Sequence, residues 1–217
     1  MKGITFGTLH SYRDLHLILE SKEIGAPEVK VNKIDIPGAD SALDLTDFFG
    51  EPKYDDVKHK FQFASIEPQD TFLSQFSTIK NAIHGKKVRI ILDDDPSFFY
   101  MGRCFVSSFT NDKGIGTVSV ECECEPYKYK LAKTTVTKAV NGTETITLTN
   151  GRKRAVPEIS ITTDTSLNIV YQIYNIWDLA SGSYTLPDLE LMEGDNAVTV
   201  TGVRKAISFM MSTIRGC

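Results

Sequence analysis

Short runs with an apolar residue at every second position, separated by Gly, Asn, Asp and Pro, recur along most of this chain. A two-residue period places one apolar face on an extended strand, so a chain written this way must bury sheets rather than helical stripes. In "VKHKFQFASI" (57–66), Val57, Phe61 and Phe63 fall on one face with His59 between them, which predicts a strand with His59 half-buried. In "GTVSVECECE" (116–125), Val118, Val120, Cys122 and Cys124 share one face, so the C-x-C pair reads as two small apolar residues facing a core. "PEVKVNKIDIPG" (27–38) alternates Val29 and Val31, then Ile34 and Ile36, and predicts a strand of about eight residues ending at Pro37-Gly38.

One segment breaks the pattern. In 68–92, Phe72, Leu73, Phe76, Ile79 and Ile83 recur at helical spacing, predicting an amphipathic helix over 71–84. Asp70 is placed to cap its first turn and Gly85 to end it. The strand "KVRIIL" (87–92) follows, and a second strand occupies 98–109. Between them "DDDPS" sets Asp93, Asp94 and Asp95 where a hairpin needs a turn, because Asp side chains bond nearby backbone N–H groups and Pro96 fixes φ. A hard cation would need about six oxygen ligands, and no D-x-D-x-D-G loop is present, so the three acids are expected at an exposed hairpin tip.

After Pro126 the texture becomes lysine-rich, and no helical stripe follows. "TETITLT", "PEISITT", "LNIVYQI", "NAVTVTG" and "KAISFMM" read as separate short strands joined by "NGRKRAVP", "SGSYTLPD" and "EGDN". The expectation is a mainly β protein with one packed α-helix: an α+β N-terminal domain over 1–130 and a small antiparallel β-sandwich over 131–217.

The 217 residues, 41% hydrophobic and 24% charged, suffice for sizeable cores and argue against wholesale disorder. A net charge of −4 without blocks of like sign argues against a grip on nucleic acid through phosphate neutralisation. No stretch reaches the ~20 apolar residues of a membrane helix, and the first residues lack a signal-peptide core, so the chain is expected to be made and kept in its producer's cytoplasm. Cys104, Cys122, Cys124 and Cys217 form no C-x-x-C pair and read as free thiols. His10, His16, His59 and His84 show no metal-ligand spacing, and neither a nucleophile elbow nor a phosphate loop is present. No catalytic, cofactor-binding or metal residue is assigned, and the chain is expected not to be an enzyme.

Taken in order, "ITFGTLHSYRDLHLIL", "IDIPGADSALDLTDFFG", the helix, "VRIILDDDPSFFYMGRC" and "VSVECECEPYKYK" resemble the N-terminal domain of the distal tail protein (Dit) family of long-tailed phages. The Phe-Gly…His-Ser-Tyr opening, "IPG" followed by "LDLT", and the hairpin ending in Tyr-x-x-Arg match as a set over about 130 residues, and "AVPEISI" and "LMEGDNAVTVTG" are similar to the family's second domain. The resemblance implies a structural protein of a phage tail tip or baseplate, or of a prophage or phage-tail-like bacteriocin. Its fold would close a hexameric ring joining the tail tube protein to a tail-associated or receptor-binding protein in the virion tail. The alternative is a carbohydrate-binding module, in which Tyr171, Tyr174, Trp177 and Tyr184 of the second domain would offer aromatic faces to a sugar.

Overall fold

The computed structural model describes residues 2–48, 50–112, 114–151, 153–162, 166–211 and 214–215, except for the side chains of 203–205, 214 and 215. Backbone contacts divide the chain into two compact units, Met1–Lys128 and Tyr129–Gly216. The fold is mainly β with one α-helix and antiparallel sheets, as the alternation predicts.

The first unit is built on β1 (Ile4–Phe6), β2 (Leu9–His10), β3 (Leu17–Ile24), β4 (Lys33–Ile34), β5 (Leu43–Asp44), β6 (Val57–Ser65), α1 (Phe72–Ile83), β7 (Lys87–Leu92), β8 (Phe98–Asp112) and β9 (Ile115–Lys130). Seven of these strands pair in the order β2-β1-β7-β8-β9-β6-β3. The period-two pattern sets the register. Phe63 faces Val118, Phe61 faces Val120, His59 faces Cys122 and Val57 faces Cys124, and all eight are buried. Phe6 of β1 meets the rings of Phe61 and Phe63 edge to face at 6.1 and 6.2 Å, although β1 and β6 stand four strands apart in the sheet. The sheet therefore curls until side chains from distant strands share one core.

Helix α1 lays Ile79 and Ile83 into that core, while Phe72 is buried edge to face against Phe109 at 6.1 Å and Phe76 stacks on Phe109 at 5.2 Å. Leu73 departs from the expected stripe and is 73% exposed, because it falls on the helix face turned away from Ile79 and Ile83. Asp70 does not cap the helix. It lies in a 3-10 turn, Gln69–Thr71, and Thr71 takes the cap position, its hydroxyl donating to Pro68 O instead of accepting from the helix. At the other end His84 N–H donates to Lys80 O, and Gly85 leaves the helix at φ +75.

Two expectations about strands change. Residues 27–38 do not form a long strand. Only Lys33–Ile34 is regular, paired with Leu43–Asp44, in a two-stranded arm that leaves the sheet after β3. His59 is fully buried rather than half-buried, at 1% exposure.

The second unit contains β10 (Thr134–Asn150), β11 (Glu158–Ile161), β12 (Leu167–Tyr171), β13 (Tyr174–Leu179), β14 (Gly182–Thr185) and β15 (Gly194–Met211). β10 and β15 form a long antiparallel ribbon, and the far edge of β15 pairs with β12 near one end and with β11 near the other. Between the pairs Val140↔Lys205 and Gly142↔Gly202, β15 carries one residue more than β10. That bulge moves the inward side chains of β15 from the even series Asn196, Val198 and Val200 to the odd series Ile207, Phe209 and Met211. The ribbon thereby serves both halves of one core, in which Leu167, Ile169, Ile159 and Ile161 meet Leu148 and Phe209. "NAVTVTG" and "KAISFMM" are accordingly one strand, and "SGSYTLPD" holds β14 rather than only a loop.

Ile79→Ala should cost about 2–5 kcal/mol in a urea melt, as a large-to-small change at a fully buried site, whereas Leu73→Ala should stay within about 0.5 kcal/mol. Similar losses from the two would show that the helix lies on its other face.

Candidate functional site

The three aspartates occupy the turn between β7 and β8, as expected, with Asp95 N–H donating to Leu92 O at 2.9 Å and Phe98 N–H to Asp95 O at 3.2 Å. They are not a free tip but a clasp, because each holds a different part of the first unit. Asp93 Oδ2 accepts from Gly3 N–H at 2.8 Å and lies 3.0 Å from His10 Nε2. His10 is 4% exposed, and its Nδ1 accepts from the backbone N–H groups of Tyr12 and Arg13 at 3.1 and 3.2 Å. With Nδ1 an acceptor, the ring proton resides on Nε2 and points at Asp93. Asp94 bonds Lys2 at 2.6 Å and also Lys22 of β3, while Asp95 bonds Lys128 of β9. Lys128 Nζ also sits 4.8 Å from the Phe98 ring centroid, a cation–π contact.

The electrostatics follow this geometry. Partial burial would raise the Asp93 pKa, but the hydrogen bonds from His10 and Gly3, with the guanidinium of Arg13 nearby, hold it below the usual carboxylate value. Hydrogen bonds from Lys2 and Lys22 bring Asp94 down to about 2. The acids are thus satisfied by lysines, a histidine and backbone amides. Among the described residues no group of three or more His, Cys, Asp and Glu is arranged to hold a metal ion.

The four histidines are dispersed. His16, at φ 54, pairs with Glu67 beside α1, and His84 Nδ1 accepts from Val106 N–H at 3.1 Å. His59 Nδ1 accepts from Gly25 N–H at 3.2 Å, across an approach so close that a Cβ on Gly25 would lie 2.6 Å from Lys58 O. Its Nε2 has no hydrogen-bond partner, and the ring stands nearly perpendicular to Tyr100 at 4.5 Å. Burial lowers the His59 pKa, since protonation would charge a desolvated ring and remove the acceptor that Gly25 uses. Cys104, Cys122 and Cys124 are buried free thiols, whereas Cys217 lies outside the described residues.

Of the four aromatics that could face a sugar, Tyr171 is in the core at 3% exposure, its hydroxyl donating to Asn196 Oδ1 at 2.7 Å. Tyr184 is half-buried and donates to Ala180 O at 2.9 Å. Tyr174 and Trp177 on β13 are exposed, Trp177 at 64%.

One surface feature was missed by the sequence reading as a surface. The arm places Val29, Val31, Ile34, Ile36, Leu43 and Phe48 in solvent. Backbone bonds between Lys30 and Lys53, Asn32 and Leu45, and Glu28 and Asp55 hold it as a ribbon. A lone two-stranded ribbon cannot cover its own apolar side chains, so the arm is a candidate interaction surface of the first unit.

No protein-family model matches the sequence, and no curated protein matches it. Among solved structures, the chain is similar to the crystal structure of SPP1 Dit (gp 19.1), with a TM-score of 0.67 and 14% identity over 97% of this chain and 98% of that one. That protein is described as a paradigm of the hub adsorption apparatus in phages infecting Gram-positive bacteria. The likeness runs the length of both chains and establishes a Dit-like fold.

Asp93→Ala should cost about 1–3 kcal/mol in a urea melt, because it strands the Gly3 N–H and His10 Nε2–H donors. Asp94→Ala should cost less, by an amount that shrinks as salt is added. A null effect of Asp93→Ala would remove it from the clasp.

Stability should also depend on pH in two windows. His59, Asp93 and Asp94 have folded pKa values below their unfolded ones, so each contributes stability above its unfolded pKa that is lost as pH falls toward the folded value. The urea midpoint should decline as pH drops below 6.5, where unfolded His59 charges, and again below 3.8, where the unfolded carboxylates protonate. His59→Gln should flatten the upper step and leave the lower one; persistence of the upper step would assign it elsewhere.

Proposed function

We propose that this chain is a structural component of a phage tail tip, a Dit-type hub that closes into a hexameric ring between the tail tube and the host-adsorption apparatus. The observation that carries this reading is the end-to-end likeness to SPP1 Dit. A building block of this kind needs surfaces rather than a reaction centre, and its role is structural rather than catalytic. A closed ring repeats one heterologous contact around an axis, which requires two different faces on each copy. The arm supplies one of them: it presents apolar side chains that the single chain leaves in solvent, and in a ring the neighbouring copy covers them. The partners of the ring are the tail tube protein on one side and a tail-associated or receptor-binding protein on the other, in the virion tail of a phage, prophage or phage-tail-like bacteriocin. Assembly takes place in the host cytoplasm.

Six copies of the 24.1 kDa chain give a particle of about 145 kDa. Mass photometry with the tail tube partner present should show this species, and negative-stain images of it should show six-fold rings. Val31→Asp combined with Leu43→Asp should abolish the ring while leaving the thermal midpoint unchanged, since both residues are exposed in the single chain. If the particle persists in that variant, the arm is not the closing surface, and if wild type never forms it at any concentration with the partner, the ring is wrong.

A further inference from the structure

Three thiols lie in the core of the first unit, and two of them meet. Cys104 of β8 and Cys122 of β9 are each fully buried, with Sγ atoms 3.1 Å apart and the Cys122 S–H donating. Other contacts between the same strands place the two residues opposite each other. Ser107 Oγ donates to Ser119 O at 3.1 Å, and a Cβ on Gly102 would lie 2.4 Å from Cys124 Sγ and 3.1 Å from Cys124 Cα. Each contact joins residues displaced equally along the two strands, so 102 faces 124, 104 faces 122 and 107 faces 119. Facing residues in an antiparallel pair have Cα atoms about 4.5–5.5 Å apart, within the roughly 4.4–6.8 Å that a disulfide spans. Gly102 opposite Cys124 lets the strands close without a third side chain between them. Cys124 instead points its thiol at its own strand, 3.7 Å from Cys122 O.

We propose that Cys104 and Cys122 are an oxidisable pair that forms a cross-strand disulfide, a staple between β8 and β9 that is open in a reducing compartment and closed outside one. In the step, both S–H bonds break and one S–S bond forms. The two thiols lose two protons and two electrons to an external oxidant, either a peroxide, which becomes two waters, or a disulfide reagent, which becomes two thiols. The fold sets the rate. Neither sulfur is reachable from solvent, and the hydrogen bond to Cys104 followed by burial raises the Cys122 pKa, so thiolate forms only when the hairpin opens locally. Cys124, pushed up to about 12 by burial, is no better an attacker. The pair is independent of the ring reading: it would close in a monomer.

The test is made on the full chain, reduced and then held with oxidised glutathione or hydrogen peroxide a few degrees below its thermal midpoint. The expected result is an intact mass lower by two hydrogens, two fewer titratable thiols after denaturation, and a non-reducing peptide map joining the segment containing Cys104 to that containing Cys122. The midpoint should rise by about 5–10 °C, since the cross-link closes a loop in the unfolded chain, and dithiothreitol should reverse the rise. Cys124→Ala should leave the link intact and Cys104→Ala should abolish it; the wild-type mass and map decide the matter even if either variant folds poorly. Unchanged thiol counts under these conditions, or a link through Cys124 or Cys217 instead, would overturn the proposal.

Discussion

A single-layer antiparallel sheet with one apolar face must hide that face, and the first unit does so by curling its strands around a shared row of aromatic and β-branched side chains. Phe6 from β1 against Phe61 and Phe63 from β6 is the contact that curvature makes possible. The acidic turn completes the curl. Asp94 holds Lys2, which leads into β1, and Lys22 of β3, a strand at the far end of the pairing order, so one carboxylate spans what would be opposite sides of a flat sheet. The two contributions differ in size. Burying one Phe is worth about 1.5–3 kcal/mol, while an ion pair in water, screened by solvent and salt, is worth far less. The aromatic row therefore drives the closure, and the clasp selects which turn meets which strand.

The parts legible in the sequence are those decided by neighbours two to four residues away. The inward series Val118, Val120, Cys122, Cys124 is a local alternation, and the β7–β8 hairpin is a local turn flanked by apolar runs. What was not legible depends on distant partners. Nothing near Asp93 announces that Gly3 and His10, 90 and 83 residues away, will use its carboxylate. The same holds for His59, whose complete burial follows from Gly25 and Tyr100 closing over it.

Alternation also misleads in two instructive ways. In the arm, Val29 to Ile36 alternate as a buried strand would, yet they stay exposed, because periodicity records that an apolar face exists and not that the same chain covers it. In β15 the pattern breaks at the bulge, so one strand of 18 residues reads as two. A single extra residue inverts the facing of everything after it, and only the pairing with β10 shows that the backbone continues.

These two departures separate the apolar faces that the chain covers by itself from the one that it leaves in solvent. The bulge in β15 is resolved internally: both phases of the strand end in one core, with Val198, Val200, Ile207 and Phe209 all fully buried. The arm is not resolved internally, since its ribbon has two-residue strands and its apolar side chains stay in solvent. Val31 is 60% exposed and Ile34 50%, and polar residues there would raise solubility without disturbing β4 or β5. Beside cores that are fully packed, these side chains hold a burial free energy that folding of the single chain leaves unused and that contact with another surface would release.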